Sequence, residues 1–595
     1  MTTVSLAVLL LLQVPADPDD MSIPELEARF GANLLEPDPA GLGPPPGVRD
    51  DAVLHRWFGI SPPRAINALA SNDGNLVDSL FEYTTLDPAL SHKGDPDKWQ
   101  PGVADYAGES DDGLTVTVRI RPGITWQRPQ YDRDDPKYAW LEALFRDGAP
   151  ALTAEDFRFT HELALDEAAE VLHIRPVIEG SELVVLDRRT YQLRWSRDVP
   201  YAANVALAWQ QVLPRFLYSR TEDGRNIPVA ERGERFREHW ALNQVCGYGP
   251  YEWVGMDPDI ELVIRRKDDF PVFRPAIREI HMQIVRDGEQ CVQRVLDGAM
   301  DFTVLMPQEY YTHVVKAASD DPFRNGEFGT ATYEKVEYLY HAWNCRRPPF
   351  DDRRVRRAMG LAFNRELIFE NVFHGFGAVV DGPVFYKHPH LHPGIEPLPF
   401  DLDAASALLD DAGWGDADGD GVRDKTIDGE EVDFRFTMYS FPGSSEYDAM
   451  MAIWKRDLAL IGVDMVVETI PWGQMLQRCY REHDFDAFTG IVAAAWTLEF
   501  WNRFASGAIV DGGNFVGFRN DELDALADRH RNTSDEAERK RLALRIQEIL
   551  AEEQPYTFFM RRDRFVVHAP WLENVKFAVS RPQLLSFGWY DGREK

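Results

Sequence analysis

A proline turn followed by two amphipathic helices constrains the fold more than any other part of the sequence. Residues 344–375 read NCRRPPFDDRRVRRAMGLAFNRELIFENVFHG. Pro348 and Pro349 prevent a helix upstream, and Asp351 or Asp352 can cap the helix that follows. The apolar residues of that helix recur at i, i+3, i+4, i+7 and i+8, which predicts one buried face made of Val355, Ala358, Met359, Ala362 and Phe363. We expect this face to anchor a sheet.

A second helix follows the first directly. Asn364 can cap its start, and Gly375 can stop it. Four arginines of the first helix lie largely off its apolar face: Arg353, Arg354, Arg356 and Arg357. In an acidic protein this pattern favours a solvated helix surface, with an anion-binding site as the alternative.

Length and charge limit the class of protein. A chain of 595 residues is long enough for more than one domain. Its formal net charge of -34 argues against nucleic acid or an anionic membrane as a partner, because phosphate binding needs clustered Lys and Arg. Strand and helix patterns alternate along the chain without a repeat of fixed period. The expected class is therefore α/β, with mixed sheets and more than one lobe.

The N-terminus has the pattern of an exported protein. The apolar run from Val4 to Val14 is too short to span a bilayer but fits the hydrophobic region of a signal peptide, although no Lys or Arg precedes it. We predict a signal peptide over 1–17 and a Pro/Gly-rich linker over 18–52. Ordered structure is expected to begin near Val53.

Four cysteines are too few for a disulfide framework. They are Cys246, Cys291, Cys345 and Cys479. Three pairings exist if all four are bridged, and the sequence does not choose among them. Buried free thiols are favoured over bridges, and a lipid-modified N-terminal cysteine is excluded because no cysteine precedes residue 246.

The sequence lacks the common catalytic motifs. It contains no G-x-S-x-G elbow, no P-loop and no zinc-protease H-E-x-x-H helix. Gly247 and Gly249 precede a predicted strand, so a dinucleotide-binding turn is not supported. A peptide-directed hydrolase stays as an alternative in a different class, and a nucleophile–base pair would be its signature.

Several segments, in their order along the chain, resemble the family 5 extracellular solute-binding proteins, the receptor subunits of oligopeptide and dipeptide ABC importers. Residues 112–126 (DGLTVTVRIRPGITW), 152–159 (LTAEDFRF), 249–251 (GPY), 297–305 (DGAMDFTVL) and 408–422 (LLDDAGWGDADGDGV) are similar to family segments. The proline turn matches through Asn344, Pro348, Pro349, Phe350, Asp352, Arg354, Val355, Arg356 and Ala358. The resemblance covers about residues 53 to 590.

The resemblance implies a two-lobe periplasmic-binding-protein fold of the class II, or cluster C, type. Lobe I is then expected to comprise 53–75, 155–310 and 565–595, an inserted subdomain 76–154, and lobe II 311–564. It also implies an exported, monomeric protein that encloses a small polar ligand, a peptide above all, between the lobes and delivers it to an ABC permease, without catalysis or a cofactor. A metal chelate, an opine or an oligosaccharide is the alternative ligand.

The best candidate for a ligand wall is residues 485–506. In peptide-binding members of the family, a Trp is followed three residues later by an Asp that pairs with the α-amine of the ligand. Here Trp496 is followed at that spacing by Glu499, so the resemblance implies Glu499 as the amine anchor. The usual Asp-Pro downstream is replaced by Trp501-Asn502. Phe500 and Trp501 are candidates for stacking on the ligand, with at least one of them expected in the core.

An acidic loop offers a weak calcium candidate. Asp416, Asp418, Asp420 and Asp424 occupy positions 1, 3, 5 and 9 of a calcium-loop pattern. Position 12 is Ile427, where an EF-hand needs a bidentate Glu, so a solvated acidic turn is favoured. In the sequence KHPHLHPG, histidines alternate and could hold a metal on a regular strand, but the prolines favour a loop.

Overall fold

Two β-sheets form the framework of the molecule, and a third sheet is built from residues before 200. The computed structural model describes residues 17–36, 42–59, 62, 66–67, 69, 80–92, 95–171, 174–208, 212–442, 444–493, 497–510, 512–578 and 586–593. In chain order the strands are β1 Val53–Gly59, β2 Ala89–His92, β3 Asp95–Pro101, β4 Ala104–Glu109, β5 Thr115–Ile120, β6 Ser181–Val185, β7 Thr190–Trp195, β8 Tyr251–Asp257, β9 Glu261–Arg266, β10 Glu279–Ile284, β11 Phe302–Leu305, β12 Gly329–Glu334, β13 Glu337–Trp343, β14 Gly377–Val379, β15 Asp424–Ile427, β16 Glu430–Asp433, β17 Arg435–Ser440, β18 Asp464–Thr469, β19 Ala487–Ala493, β20 Tyr556–Phe558, β21 Met560–His568, β22 Leu572–Glu573 and β23 Tyr590–Asp591.

The helices lie between these strands in sequence. Those used below are α1 Ile23–Phe30, α2 Ala154–Leu165, α3 Gly288–Leu296, α4 Arg353–Leu361, α5 Arg365–Asn371, α6 Leu402–Asp411, α7 Ser445–Ala459, α8 Trp501–Phe504, α9 Asp521–Arg531 and α10 Glu536–Glu553. Shorter helices are Glu82–Thr84, Ala139–Leu144, Arg175–Ile178, Ala202–Ala208, Arg215–Tyr218, Arg232–Phe236, Pro307–Tyr310 and Trp472–Met475.

The two main sheets define two lobes. The larger sheet has the strand order β12-β21-β11-β1-β10-β9-β8, and β14 also pairs with β21. The second sheet has the order β18-β17-β19-β13-β20. The chain passes between the sheets twice, from β12 to β13 through residues 335–336 and from β20 to β21 through Phe559. Two lobes joined by neighbouring crossing strands are the arrangement that permits hinge closure, and the predicted two-lobe α/β fold is confirmed.

The third sheet changes the proposed limits of the inserted subdomain. Its order is β4-β5-β7-β6, and all its ladders are antiparallel. β6 and β7 belong to the range 155–310 that the sequence analysis assigned to lobe I. Because backbone hydrogen bonds join them to β4 and β5, we propose that the insertion extends beyond residue 195 rather than ending at 154. In the same way, β12 and residues 563–564 of β21 lie in the lobe I sheet, although they fall within the predicted range 311–564 of lobe II.

The helix pair after the proline turn forms as predicted. α4 begins after Asp352, whose carboxylate accepts a hydrogen bond of 2.8 Å from the N–H of Arg354. The five residues of the predicted apolar face are all completely buried, in a core that includes β13 and β17. Asn364 caps α5 by accepting from the N–H of Leu367 at 3.1 Å, and the turn after the helix ends at Gly375, where φ is +72°.

One arginine of α4 contradicts the predicted solvated face. Arg353 and Arg354 are exposed, but Arg356 is only 3% exposed. Its guanidinium donates at 2.9 Å to the carbonyl oxygens of Phe350 and Glu553, and it lies 3.1 Å from the Glu553 carboxylate. Glu553 is the last residue of α10, so Arg356 binds the carbonyl end of that helix to the start of α4. Periodicity could not show this, because Glu553 lies almost 200 residues away along the chain.

The segment 18–52 is not a plain linker. α1 lies within it, and Leu26 of α1 is completely buried. The hydroxyl of Tyr106 donates to the carbonyl oxygen of Gly31 at 2.6 Å, and Arg119 donates to the carbonyl oxygen of Met21 at 2.5 Å. These contacts tie α1 to the four-stranded sheet, so the prediction that order begins near Val53 was wrong. Of the predicted signal peptide, 1–17, residues 1–16 lie outside the part of the chain that the structure describes.

All four cysteines are free thiols, as the sequence analysis favoured. Cys291 and Cys479 are buried, and the other two are half-buried. Burial raises the pKa of the Cys291 and Cys345 thiols to about 11. Since the thiolate is the reactive form, these side chains are inert at neutral pH.

Candidate ligand-binding site between the lobes

A short segment after β7 reaches from the inserted subdomain to lobe II. The guanidinium of Arg197 donates to the carbonyl oxygen of Arg531 at 2.9 Å and to the amide oxygen of Asn532 at 2.8 Å. The Asp198 carboxylate accepts from both the N–H and the hydroxyl of Ser534, at 2.8 and 2.9 Å. Arg531 is the last residue of α9, and residues 532–534 lie between α9 and α10 of lobe II. These bonds therefore hold the two parts of the molecule together.

Tyr201 continues the same contact toward the predicted ligand wall. Its hydroxyl accepts a hydrogen bond of 3.1 Å from the N–H of Leu498. The guanidinium carbon of Arg539 lies 4.2 Å from the centre of the Tyr201 ring. The residue after Leu498 is Glu499, so the predicted amine anchor lies beside the contact between the lobes.

Glu499 combines access to solvent with an unfavourable environment for its charge. Its side chain is exposed, and its Oε1 accepts from the N–H of Asn502 at 3.1 Å. Desolvation by the surrounding protein raises its pKa, while the hydrogen bond from Asn502 and the charges of Arg531 and Arg197 act in the opposite direction. A carboxylate in this position gains from a cation that binds next to it.

The aromatic residues around Glu499 have different roles. Trp496 lies outside the described residues. Phe500 is 2% exposed, and its ring contacts His530 edge to face at a centroid distance of 5.1 Å, which gives it a packing role. Trp501 is half-buried, and the guanidinium carbon of Arg531 lies 3.8 Å from its ring centre. This cation–π contact occupies one face of the indole. Of the predicted site residues that the structure describes, Glu499 and Trp501 remain candidates for ligand contact.

Arg503 is a candidate that the sequence analysis missed. It lies on α8, four residues after Glu499, and is half-buried. It forms no hydrogen bond or ion pair with any residue that the structure describes. Burial opposes its charge, but the surrounding hydroxyls of Tyr338, Tyr556 and Tyr340 raise its pKa. The sequence could have indicated Arg503 through its spacing, because it follows Glu499 by four residues shortly after Trp496.

The calcium candidate is brought together only in part. The carboxylates of Asp416, Asp418 and Asp420 are exposed and lie within 4.8 Å of one another. Asp424 is 9% exposed and accepts instead from the N–H of Ala417 at 2.6 Å. Local hydrogen bonds of this kind explain the loop without an ion, and calcium binding stays a prediction.

The alternating histidines lie in a loop, as the prolines predicted. His390 pairs with Glu536 at 2.7 Å through Nε2, and His392 lies 3.3 Å from Glu548. Each ring is thus directed at a different glutamate of α10. This explains them as contacts that hold the loop to the helix.

We expect Asp198→Ala to weaken ligand binding about fivefold, because the two hydrogen bonds to Ser534 join the parts of the molecule that are proposed to close around a ligand and are worth about 1 kcal/mol net. Isothermal titration with the ligand identified below measures the effect. Asp112→Ala is the matched control, since Asp112 accepts similar bonds from Ser110 and Leu114 within a local turn. Equal affinities for both variants would contradict a role of Asp198 in closure.

Comparisons with known proteins agree with this architecture. The family model described as "Bacterial extracellular solute-binding proteins, family 5 Middle" matches residues 98–507. The chain is 24% identical over 540 residues to the oligopeptide-binding protein AppA of Bacillus subtilis (strain 168), covering 88% of each chain. It is 23% identical over 472 residues to di/tripeptide-binding protein 2 of Pseudomonas aeruginosa (strain UCBPP-PA14), covering 77% of this chain and 80% of the relative.

Solved structures share the fold. AppA from Bacillus subtilis in complex with a nonapeptide superposes with a TM-score of 0.77 at 22% identity, over 92% of this chain and all of that chain. NikZ from Campylobacter jejuni in complex with Ni(L-His) has a TM-score of 0.71 at 17% identity, over 91% of this chain and all of that chain. Both superpositions extend across the two lobes and the inserted subdomain described above. The chain belongs to the bacterial extracellular solute-binding proteins, family 5.

Proposed function

We propose that this protein is the extracytoplasmic substrate-binding component of an ABC importer and that it captures peptides between its two lobes. The observation that carries the proposal is an acid and a base four residues apart, Glu499 and Arg503, on one short segment beside the contact between the lobes. Glu499 offers a carboxylate in a desolvating environment, and Arg503 offers a cation without a counter-ion in the described part of the chain. A zwitterionic ligand with a free amine and a free carboxylate fits this pair.

The relatives support the same ligand class. AppA and the di/tripeptide-binding proteins are named for the peptides they bind, and the AppA structure is a complex with a nonapeptide. A membrane permease is the partner that an importer subunit requires, and we propose that the protein meets it as an exported monomer. No helix in the described ranges is long and apolar enough to cross a membrane. Binding and release need no bond to be broken, so we propose no catalysis.

The test is thermal unfolding of the full chain with a peptide series from dipeptide to nonapeptide. A ligand at 100 times its dissociation constant adds about 2.7 kcal/mol to stability, which gives a measurable rise in melting temperature. Each peptide is offered in free, N-acetylated and C-amidated forms. For the dipeptide, which is short enough to reach both residues, we expect the free form to give the largest rise, because blocking either end removes the partner of Glu499 or Arg503.

A nickel–histidine complex is the control ligand, since the fold is shared with NikZ. A rise with the complex and none with any peptide would replace the peptide proposal by a chelate. Sustained release of cleaved peptide during the assay would instead favour the hydrolase alternative.

A further inference from the structure

Three strands of the lobe I sheet bring two histidines and two glutamates onto one face. His55 of β1 is the parallel partner of His281 on β10. Strand residues two apart point to the same face, so Glu279 and Gln283 share a face with His281 on β10. Glu261 of β9 pairs with Gln283 and therefore lies on that face as well. The His55 and His281 rings are 4.8 Å apart between centroids. None of these residues belongs to the contact between the lobes.

The four side chains lie at one end of this face, whereas Trp57, two residues after His55, packs against a hydrophobic cluster further along it. On each strand the neighbouring residues, Leu54, Ile280 and Leu262, are buried on the opposite side of the sheet. The histidines and glutamates are half-buried and open to solvent on one side. Their chemistry is therefore not explained by packing, and an ion could reach them without opening the fold.

Both ring nitrogens of His281 face a carboxylate, although a neutral imidazole carries only one proton to donate. Its Nε2 lies 2.9 Å from Glu279 Oε1, and its Nδ1 lies 3.0 Å from Glu261 Oε1. A neutral imidazole has one N–H and one lone pair. If Nε2 donates to Glu279, the lone pair of Nδ1 faces a carboxylate, and two acceptors at that distance need a cation between them. Either a second proton or a metal ion supplies it.

We propose that His55, His281 and Glu261 bind a divalent transition metal, with Zn²⁺ as the best match to two imidazoles and one carboxylate. The three donor atoms already lie within 4.8 Å of one another. Zinc bonds of about 2.0–2.2 Å in a tetrahedral site place donor atoms roughly 3.4 Å apart, so only small side-chain movements are required. Water fills the fourth position on the open side.

Glu279 is the positioning residue of this site. It accepts the Nε2 proton of His281 and so directs the lone pair of Nδ1 toward the metal, the arrangement in which a carboxylate orients a metal-bound histidine. Glu279 is itself fixed by Arg265, whose Nε donates to its Oε2 at 2.9 Å. Among the described residues, the other grouping of suitable donors is the exposed triplet of aspartates on the acidic loop. That triplet has no histidine, which separates the two sites chemically.

The experiment is isothermal titration of the chelator-treated full chain with zinc chloride. We expect the unmodified protein to bind one Zn²⁺ that is lost in His55→Ala, with affinity lower by more than about 100-fold, and weakened in Glu279→Gln by about 10- to 100-fold. His55→Ala is the main variant because it removes a metal ligand on a half-buried side chain and leaves both hydrogen bonds of His281 in place. Circular dichroism and retained peptide binding verify its fold.

Two controls keep the test specific. His313→Ala removes a histidine that pairs with Glu289 at 2.8 Å outside the proposed site, and it is expected to bind zinc as the unmodified protein does. Asp418→Ala removes the centre of the acidic triplet and is expected to have no effect. Absence of zinc binding by the unmodified protein, or undiminished binding by His55→Ala, would overturn the proposal and assign the cluster to a protonated His281 held by two carboxylates.

Discussion

Replacing Glu337 with glutamine is expected to lower the free energy of unfolding by about 3 kcal/mol, the lower end of the cost of breaking a buried ion pair. Glu337 is the first residue of β13, immediately after the chain crosses between the lobes, and is 5% exposed. Its carboxylate lies 3.4 Å from Arg562 Nε and 2.6 Å from Arg564 Nη2 on β21, the other crossing strand. The variant keeps the shape of the side chain but leaves two arginines without their counter-ion.

Equilibrium unfolding in urea, followed by tryptophan fluorescence and circular dichroism, measures this loss. Coincident transitions by the two probes are needed before a single free energy is assigned to a two-lobe protein. Glu522→Gln is the matched control, because Glu522 pairs with Arg545 at 2.7 Å on the surface of lobe II, where both side chains are well exposed. We expect the control to leave stability nearly unchanged. If Glu337→Gln were equally harmless, the crossing strands would not depend on this pair.

Glu499→Gln is expected to weaken the binding of free-amine peptides by about 10-fold while leaving N-acetylated peptides unaffected. A hydrogen bond between charged groups contributes about 1.5–3 kcal/mol net, and we take the lower end because the Glu499 side chain is exposed. Glutamine retains an oxygen that can accept from the N–H of Asn502, so the start of α8 is expected to stay in place. Isothermal titration with matched free and acetylated peptides measures the difference.

Glu482→Gln is the control for this variant, since Glu482 is exposed on the same lobe and bonds only locally, to Gln477 at 2.6 Å. It changes the net charge by the same amount and is expected to bind both peptide forms as the unmodified protein does. Equal losses for free and acetylated peptides in Glu499→Gln would remove Glu499 from contact with the amine. The peptide proposal itself would survive that outcome if free peptides still stabilised the unmodified protein.

Local features were predicted correctly because their causes are local. The buried face of α4 follows from the period of the helix, and the caps at Asp352 and Asn364 follow from side chains that reach the first turn. The loop around His390 follows from its prolines. The order of motifs along the chain indicated the family, and the match over residues 98–507 confirmed it.

Predictions that depended on distant partners were less successful. Arg356 looked like a surface residue because its distant acceptor, Glu553, belongs to α10. α1 looked like part of a linker because its contacts are with Tyr106 and Arg119. The pairing of β6 and β7 with β4 and β5, which leads us to propose a longer insertion, was invisible in the sequence for the same reason. An alternating pattern predicts a half-buried strand, but it does not predict which other strand will pair with it.

The sequence by itself determined the α/β class and the two-lobe family, because hydrophobic period, capping and motif order are properties of neighbouring residues. The segment around Glu499 stays a prediction of the ligand site. The tertiary structure decided which charges meet. It placed Arg503 near tyrosines of β13 and β20 and joined Asp198 to Ser534 across the lobes. It also set His55 beside His281 and Glu261. Electrostatic and metal-ligand interactions act over a few ångströms in space, whatever the separation along the chain, so these groupings exist only once the sheets have formed.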